Sequence, residues 1–401
     1  MLTAAAVRAG AERMLGFAEA GVLDDWRVDP AQLPATADFV AGVVRERHPR
    51  LDPPLHARWR HFVFTGRDLW RETLAARRWP SAAAAARAAI DLAVTSVLLD
   101  AGASAGWQYR DAATGLVAGR SEGLALASLR WFASGAFSED PDDPLRVDAG
   151  LLRRLEPAAL EAAFQATPVQ PLPGSAGRTE LLRRLGAALQ SRPDLFALGD
   201  SPRPGGLFDA LCRRAAGGAL PAVIILETVL DGLGSIWPDR PSLGGVSLGD
   251  CWPHPAFRGA AAAERYVPLH KLSQWLSYSL IEPLEAAGVR VSGVGELTGL
   301  AEYRNGGLFV DMGVLVPRDP AAWSRAHGVG EPFVVGWRAL TVALLDRLLP
   351  AVRGRLGLGA DAFPLACMLE GGTWAAGRLL ARDKRADGGP PFRILSDGTV
   401  F

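Results

Sequence analysis

The chain has 401 residues, and its 43 basic and 43 acidic side chains cancel to a formal net charge of zero. That balance argues against bulk attraction to nucleic acid or to an anionic membrane surface, both of which ordinarily show as a basic excess. Hydrophobic residues make up 49%, enough for one large core or two smaller lobes. No apolar run reaches membrane-spanning length, and the opening MLTAAAVRAG lacks a secretory charge–apolar–cleavage layout. The cysteines Cys212, Cys251 and Cys367 are odd in number and have no paired spacing, which predicts a cytoplasmic protein without structural disulfides.

Helical signals dominate the chain in order. Residues 2–20 are alanine-rich and stop at Gly21, and Thr36 is placed to cap a helix that ends before Pro49. After Pro80, Ser81 reads as the N-cap of a long helix with Gly102 past its end. The stretch WQYRDAATGLVAGR predicts a β-hairpin or ordered loop about Ala-Thr-Gly, and Ser121 then caps a helix to about Ser134. Residues 167–177, TPVQPLPGSAG, hold three prolines and two glycines. They are the expected joint between two helical lobes, 1–166 and 178–401, of a single unit. Helices follow near 178–190, 205–216 and 221–232, and 233–267 reads as an irregular, ordered loop. A helix beginning near Lys271 runs to about Ala287, with strand-like pieces at 289–292 and 307–316. The class is mainly α with a small β component.

Only two of the basic residues are lysine, Lys271 and Lys384, and Lys271 lies inside the apolar helical stretch YVPLHKLSQWLSYSLIEPL. Leu269, Leu272, Leu276 and Leu280 form a core stripe at helical spacing, while Lys271, Gln274, Tyr278 and Glu282 share another face. That face suits a polar ligand. The competing reading is a surface helix whose lysine is solvated and paired with Glu282. Further on, LTGLAEYRNGGLFVDMGVL places Glu302 and Asp311 on either side of Gly306-Gly307. An Asn305-Gly306 turn would reverse the backbone there, and Asp311, among apolar neighbours, would need a partner such as Arg304. The alternative is a structural Asp–Arg pair that closes a turn.

Three further stretches carry polar groups. In Gly119-Arg120-Ser121-Glu122-Gly123, a helix start with Arg120 and Ser121 favours an anion, or Ser121 is an ordinary N-cap. Trp107 and Tyr109 before it either wall a pocket or pack. Asp250, Cys251, Trp252 and His254, with His270 nearby, match no standard closed zinc site. No metal is therefore expected, and Asp250, Trp252 and His254 are read as binding substrate or holding the loop. Glu370, in Glu-Gly-Gly-Thr-Trp, closes a pocket or caps the final helices.

Several of these stretches match one family. VPLHKLSQWLSYSLIEPL with ELTGLAEYRNGGLFVDMGVL resembles the signature of the uracil-catabolism protein four family. The resemblance extends through DAGASAGWQYRDAATGLVAGRSEGLALASLRWF, LGDCWPH, LEGGTWAAGRLLA and SDGTVF, and covers the chain beyond its first thirty residues. The centre is also distantly similar to queuosine-nucleotide salvage N-glycosylases, in which Lys-Arg-Ala-Gln follows an aromatic pair and an Asp-Tyr-Arg comes later. Lys271 and Gln274 take the lysine and glutamine positions, and Glu302, Tyr303 and Arg304 those of Asp-Tyr-Arg, with Glu one methylene longer.

The two resemblances together imply a helical, glycosylase-like fold related to the helix-hairpin-helix DNA glycosylases. They also imply a cofactor-free N-glycosidic hydrolase of uracil catabolism acting on a small phosphorylated nucleoside derivative, of ribosylurea type. Lys271 and Glu302 would face one pocket with Gln274 and Tyr278 on its wall. Glu302 or Asp311 would be the carboxylate at the anomeric carbon, and Lys271, Tyr278 or Asp311 a proton or hydrogen-bond donor; Lys271 could equally hold Glu302 ionised or bind phosphate. Two other readings are an amidohydrolase acting on the ureido chain and a non-catalytic partner of other uracil-breakdown enzymes.

Overall fold

A computed structural model describes residues 1–100, 102, 106–199, 201–259 and 261–395, and the terminal SDGTVF and part of the Asp100–Trp107 stretch lie outside the described residues. Two units alternate along the sequence. The first comprises Met1–His56, Arg240–Gln274 and Gly293–Leu395, the second Ala57–Asp239 and Trp275–Ser292. Both are mainly α, and among the described residues strands occur only as two-stranded pairs.

In the first unit, the helices Ala4–Glu19 and Leu33–Arg47 both pack on the 25-residue helix Pro332–Leu356. Val7, Ala11, Met14 and Ala18 supply the buried stripe of the first helix at helical spacing. The core beside them is aromatic. Trp26 stacks on Phe333 at 4.5 Å and donates its indole N–H to the Phe333 carbonyl at 2.8 Å, so its one polar atom is satisfied inside. The strand Trp26–Val28 pairs antiparallel with Leu315–Pro317, and Cys251–Pro253 pairs antiparallel with Tyr266–Pro268. Thr36 is not a cap. It lies inside its helix with its hydroxyl donating to the Gln32 carbonyl, because Asp29 and Pro30 start a turn upstream and Pro34 occupies the helix's first turn.

In the second unit, Ser81 accepts the Ala84 N–H and caps Ala82–Leu98 as expected. The hairpin is present as Gln108–Arg110 against Val117–Gly119. The next helix, Arg120–Ala133, has Gly119 at its N-cap position, so Ser121 sits within the first turn instead of capping it. Helices Ser175–Ser191, Gly206–Arg214 and Ala222–Leu233 follow. The segment 167–177 lies within this unit, where Thr167 bridges Gln170, and the chain changes unit at other points, including His56–Ala57 and Asp239–Arg240. Proline and glycine there mark a turn inside one unit.

The largest departure from expectation concerns Asn305-Gly306-Gly307. No reversal forms; the three residues are helical, inside Tyr303–Asp311, and the strand is confined to Leu315–Pro317. Glycine serves close packing here. A Cβ on Gly306 would come within 2.7 Å of Trp337 Nε1 and 2.9 Å of Thr341 Oγ1, and one on Gly377 within 2.2 Å of the Arg304 carbonyl oxygen. The helices Tyr303–Asp311 and Trp374–Lys384 therefore meet backbone to backbone at Gly377.

Gly377→Ala should lower stability by about 1–3 kcal/mol, since overpacking against a backbone carbonyl outweighs the ~1 kcal/mol gain in helix propensity. At Gly307 the nearest atom to an added Cβ is Pro391 Cδ at 3.3 Å, so Gly307→Ala should be far milder. Urea unfolding of the two variants checks the order; equal midpoints would contradict it.

Candidate active site

Three consecutive backbone N–H groups converge on Asp250. Its carbonyl accepts from Leu269 at 2.9 Å and His270 at 3.1 Å, and its carboxylate Oδ2 accepts from Lys271 at 3.0 Å. His270 has φ of 47°, an uncommon left-handed conformation for a non-glycine residue. The chain is thus turned sharply just before the Lys271–Ala286 helix, and Asp250 satisfies N–H groups that the turn and the helix start leave open.

The Asp250 carboxylate is itself held from the other side. Arg338, from the Pro332–Leu356 helix, donates Nη1 to Oδ1 at 2.8 Å and Nη2 to Oδ2 at 2.7 Å, while Trp252 Nε1 donates to Oδ1 at 2.7 Å. Both partners of the ion pair are buried. Burial alone would raise the Asp250 pKa, but the Arg338 charge and the donated hydrogen bonds outweigh it and hold the carboxyl well below its usual range. Arg338 has one more donor in use: its Nε–H reaches the carbonyl of Ala301, the residue before Glu302, at 3.1 Å.

Glu302 is the N-cap of the Tyr303–Asp311 helix, and its two oxygens accept the N–H groups of Asn305 at 2.6 Å and Arg304 at 2.7 Å. The residue is only 8% exposed. Burial raises its pKa; the two backbone hydrogen bonds and the charges of Lys271 and Arg304 oppose that rise without cancelling it. Each carboxylate oxygen keeps a second acceptor direction beyond its cap bond. Lys271, likewise 8% exposed, is a buried lysine and not the solvated one of the competing reading. Glu282, its expected partner in that reading, is instead held by Arg60 within the second unit. Gln274 is fully buried, its Oε1 accepting the Thr298 N–H at 3.4 Å, with its Nε2 unpartnered among the described residues.

Asp311 does not pair with Arg304. It makes a two-bond fork with Arg385, at 2.8 and 2.6 Å, at the far end of the helix that Glu302 caps. The nine residues between the ends span roughly 13 Å at helical rise, so the two carboxylates do not address one reacting atom. Arg304 instead donates Nη1 to the Gly388 carbonyl at 3.2 Å and lies over the Tyr303 ring. His254 is buried with its pKa lowered to about 4 by desolvation, and its Nδ1 accepts the Ala256 N–H at 3.2 Å. Trp252, besides its bond to Asp250, lies under the Arg240 guanidinium at 4.5 Å. The thiol of Cys251 is pushed up by burial. Glu370 accepts from or donates to His56 Nδ1 at 2.6 Å, within a π-helical segment Leu369–Thr373.

The remaining expected residues belong to the second unit. Tyr278 is fully buried there. Trp107 is buried and donates its indole N–H to the Phe164 carbonyl at 3.0 Å. Tyr109 sits in the Gln108–Arg110 strand, its phenol raised by burial. Arg120 and Ser121 open the Arg120–Ala133 helix, with Arg120 at φ 53°. Sequence reasoning missed Arg338, the partner of Asp250. Its only signal is an arginine at a position otherwise flanked by core residues, in VVGWRALTVALL.

Asp250→Asn removes one partner of a buried ion pair and leaves the Arg338 charge uncompensated, which should cost about 3–5 kcal/mol of unfolding free energy. Because the folded protein holds the Asp250 proton less tightly than the unfolded chain, its stabilisation is present above about pH 4 and declines as pH falls below that value. Denaturant titrations at several pH values should show less acid sensitivity in the variant. A variant as stable as wild type at pH 7 would refute this.

Comparison with known proteins covers nearly the whole chain. "Protein urg3" of Schizosaccharomyces pombe is 38% identical over 408 residues, spanning 98% of this chain and 96% of that protein. "Uracil catabolism protein 4" of Lachancea kluyveri is 39% identical over 381 residues, 87% of this chain and 85% of its own length. A family model described as "Protein of unknown function (DUF1688)" matches residues 1–401, and the chain belongs to that family.

Proposed function

We propose that this protein acts in uracil breakdown as an N-glycosidic hydrolase, splitting a ribosylurea-type nucleotide into urea and ribose 5-phosphate. The observation that carries the reading is Glu302: a buried carboxylate, fixed by two backbone N–H groups, in the field of the buried Lys271 ammonium. The name "Uracil catabolism protein 4" borne by a relative supports the pathway. The similarity to queuosine-salvage glycosylases at Lys271, Gln274, Glu302, Tyr303 and Arg304 supports the reaction class and the kinship of fold.

The chemistry suits these groups. Cleavage of the C1–N bond develops positive charge on C1 and the ring oxygen, which an ionised Glu302 stabilises directly. Water then adds to C1, and the proton it loses balances the one taken up by the departing urea. Glu302 orients that water. Lys271 opposes the effect of burial, keeping Glu302 ionised, and donates a hydrogen bond as the leaving group departs. A lysine provides the compact charge that this task needs, where an arginine would demand a planar fork of acceptors.

Incubating the protein with ribosylurea 5-phosphate should release urea and ribose 5-phosphate in equal amounts. No release of either would overturn the reading. Glu302→Gln keeps size and one acceptor but removes the charge, so kcat should fall by about two to three orders of magnitude with KM little changed. Asp311→Asn should retain turnover while losing stability, since Asp311 is engaged with Arg385. An inactive, folded Asp311→Asn beside an active Glu302→Gln would move the catalytic role.

The pH profile supplies a further check. Glu302 must be ionised to act and its pKa is raised above the ordinary 4.5, so kcat should rise with pH along an acid limb centred above that value. A limb centred at or below it would mean that another group controls the rate.

A further inference from the structure

We propose that Arg338 and Asp250 are positioning residues that set the separation between Lys271 and Glu302. This inference rests on the hydrolase reading above and deepens it. The proposed catalytic residues come from two distant stretches of sequence, and neither is anchored by its own helix alone. One guanidinium connects them. Arg338 Nε holds the Ala301 carbonyl at 3.1 Å, one peptide before Glu302. Its Nη1 and Nη2 hold both oxygens of Asp250, whose Oδ2 in turn holds the Lys271 N–H at 3.0 Å.

The connection is stiff at every link. The Arg–carboxylate contact is a two-bond fork, which fixes orientation as well as distance. Asp250 also takes the Leu269 and His270 N–H groups on its carbonyl, so it grips three successive residues and holds His270 in its left-handed conformation. On the other side, the Ala301 carbonyl is tied immediately before a residue whose side chain caps the next helix. Ala301 is fully buried and Arg338 nearly so, which keeps water from competing for these bonds. A guanidinium is the side chain that can do this, because its planar fork offers separate N–H donors to the two Asp250 oxygens and the Ala301 carbonyl.

The consequence is electrostatic. The charged groups acting on Glu302 are Lys271 and Arg304, both lowering its pKa against burial. The Lys271 contribution depends on distance, and Arg338 with Asp250 fixes that distance. A buried Arg–Asp pair also costs desolvation, and a well-packed apolar pair often stabilises a fold as well or better. Retaining the ion pair where two proposed catalytic residues meet is what a positioning role explains.

Arg338→Lys tests this, because it keeps the positive charge but removes the fork and the donor to Ala301. In the folded variant kcat should fall about 10- to 100-fold with KM within about threefold, as expected when a misplacement near 1 Å is felt mainly in the transition state. The acid limb of the kcat profile should move to higher pH, since a looser Lys271 lowers the Glu302 pKa less. On a Glu302→Gln background, Arg338→Lys should add little further loss, because both changes remove one function. Additive losses, or an acid limb that stays in place, would show Arg338 to be structural only.

Nuclear magnetic resonance titration of carbon-13-labelled Glu302, wild type against Arg338→Lys, gives a readout that needs no turnover. If the wild-type protein releases no urea, the hydrolase reading fails while an upward-moving Glu302 titration still supports the coupling; an unmoved titration overturns the coupling whatever the activity. Should Arg338→Lys not fold, Trp252→Phe removes the 2.7 Å bond to Asp250 Oδ1 while leaving both hydrogen bonds of the Arg338 fork and an aromatic ring beside Arg240. It should move the titration the same way by a smaller step, and no movement there would equally overturn the proposal.

Discussion

The ion pair of Arg338 with Asp250 organises the first unit's candidate site. It joins the second turn of the helix Pro332–Leu356 to the turn that launches Lys271–Ala286, and through Ala301 to the start of Tyr303–Asp311. Three elements distant in sequence thus share one buried guanidinium. An exposed pair would be too weak to define such geometry; in a buried setting the same contacts are short and enforced by the cost of leaving any member unpaired.

Glycine has a complementary role. Gly306 and Gly377 let the Tyr303–Asp311 helix lie close against Trp337, Thr341 and the Trp374–Lys384 helix. That close approach sets the helix position, and Glu302, as its cap, takes its position from it. The carboxylate therefore has two duties, satisfying the helix's open N–H groups and presenting its remaining lone pairs. The cap bonds stabilise the ionised form that the proposed chemistry uses, while burial works in the opposite direction.

Several polar residues singled out by residue type turn out to have protein partners. Asp311 is matched by Arg385 and His254 by the Ala256 N–H, while the Trp107 indole is satisfied by the Phe164 carbonyl. Each of these contacts accounts for a polar atom in a buried setting, a need that arises wherever a polar side chain is enclosed. A polar residue in an apolar stretch is thus an equally good sign of structure or of function. Glu302 and Lys271 stand out from them because two independent stretches bring opposite charges into one buried region.

The sequence by itself determined the mainly helical class, the caps at Ser81 and the hairpin before Arg120, and the core stripe on the Lys271 helix. These follow from period, propensity and turn chemistry, which act over a few neighbouring residues. It also marked Lys271 and Glu302, through residue types out of keeping with their surroundings and through family-like motifs. Tertiary structure alone decided the rest. Asn-Gly-Gly reads locally as a turn, yet Trp337 and Thr341, more than thirty residues on, need that glycine inside a helix. The Pro/Gly-rich 167–177 segment reads as a joint, yet the units exchange chain elsewhere, at Asp239–Arg240 between two prolines but also at Gln274–Trp275 inside a helix, so Pro/Gly content does not by itself pick the crossing points. Asp250 has five donor residues drawn from positions 252, 269–271 and 338, and the choice of Arg338 among so many arginines depends on helix packing. Local sequence fixes what a residue can bond to; which partner it meets is set by contacts between segments far apart in the chain.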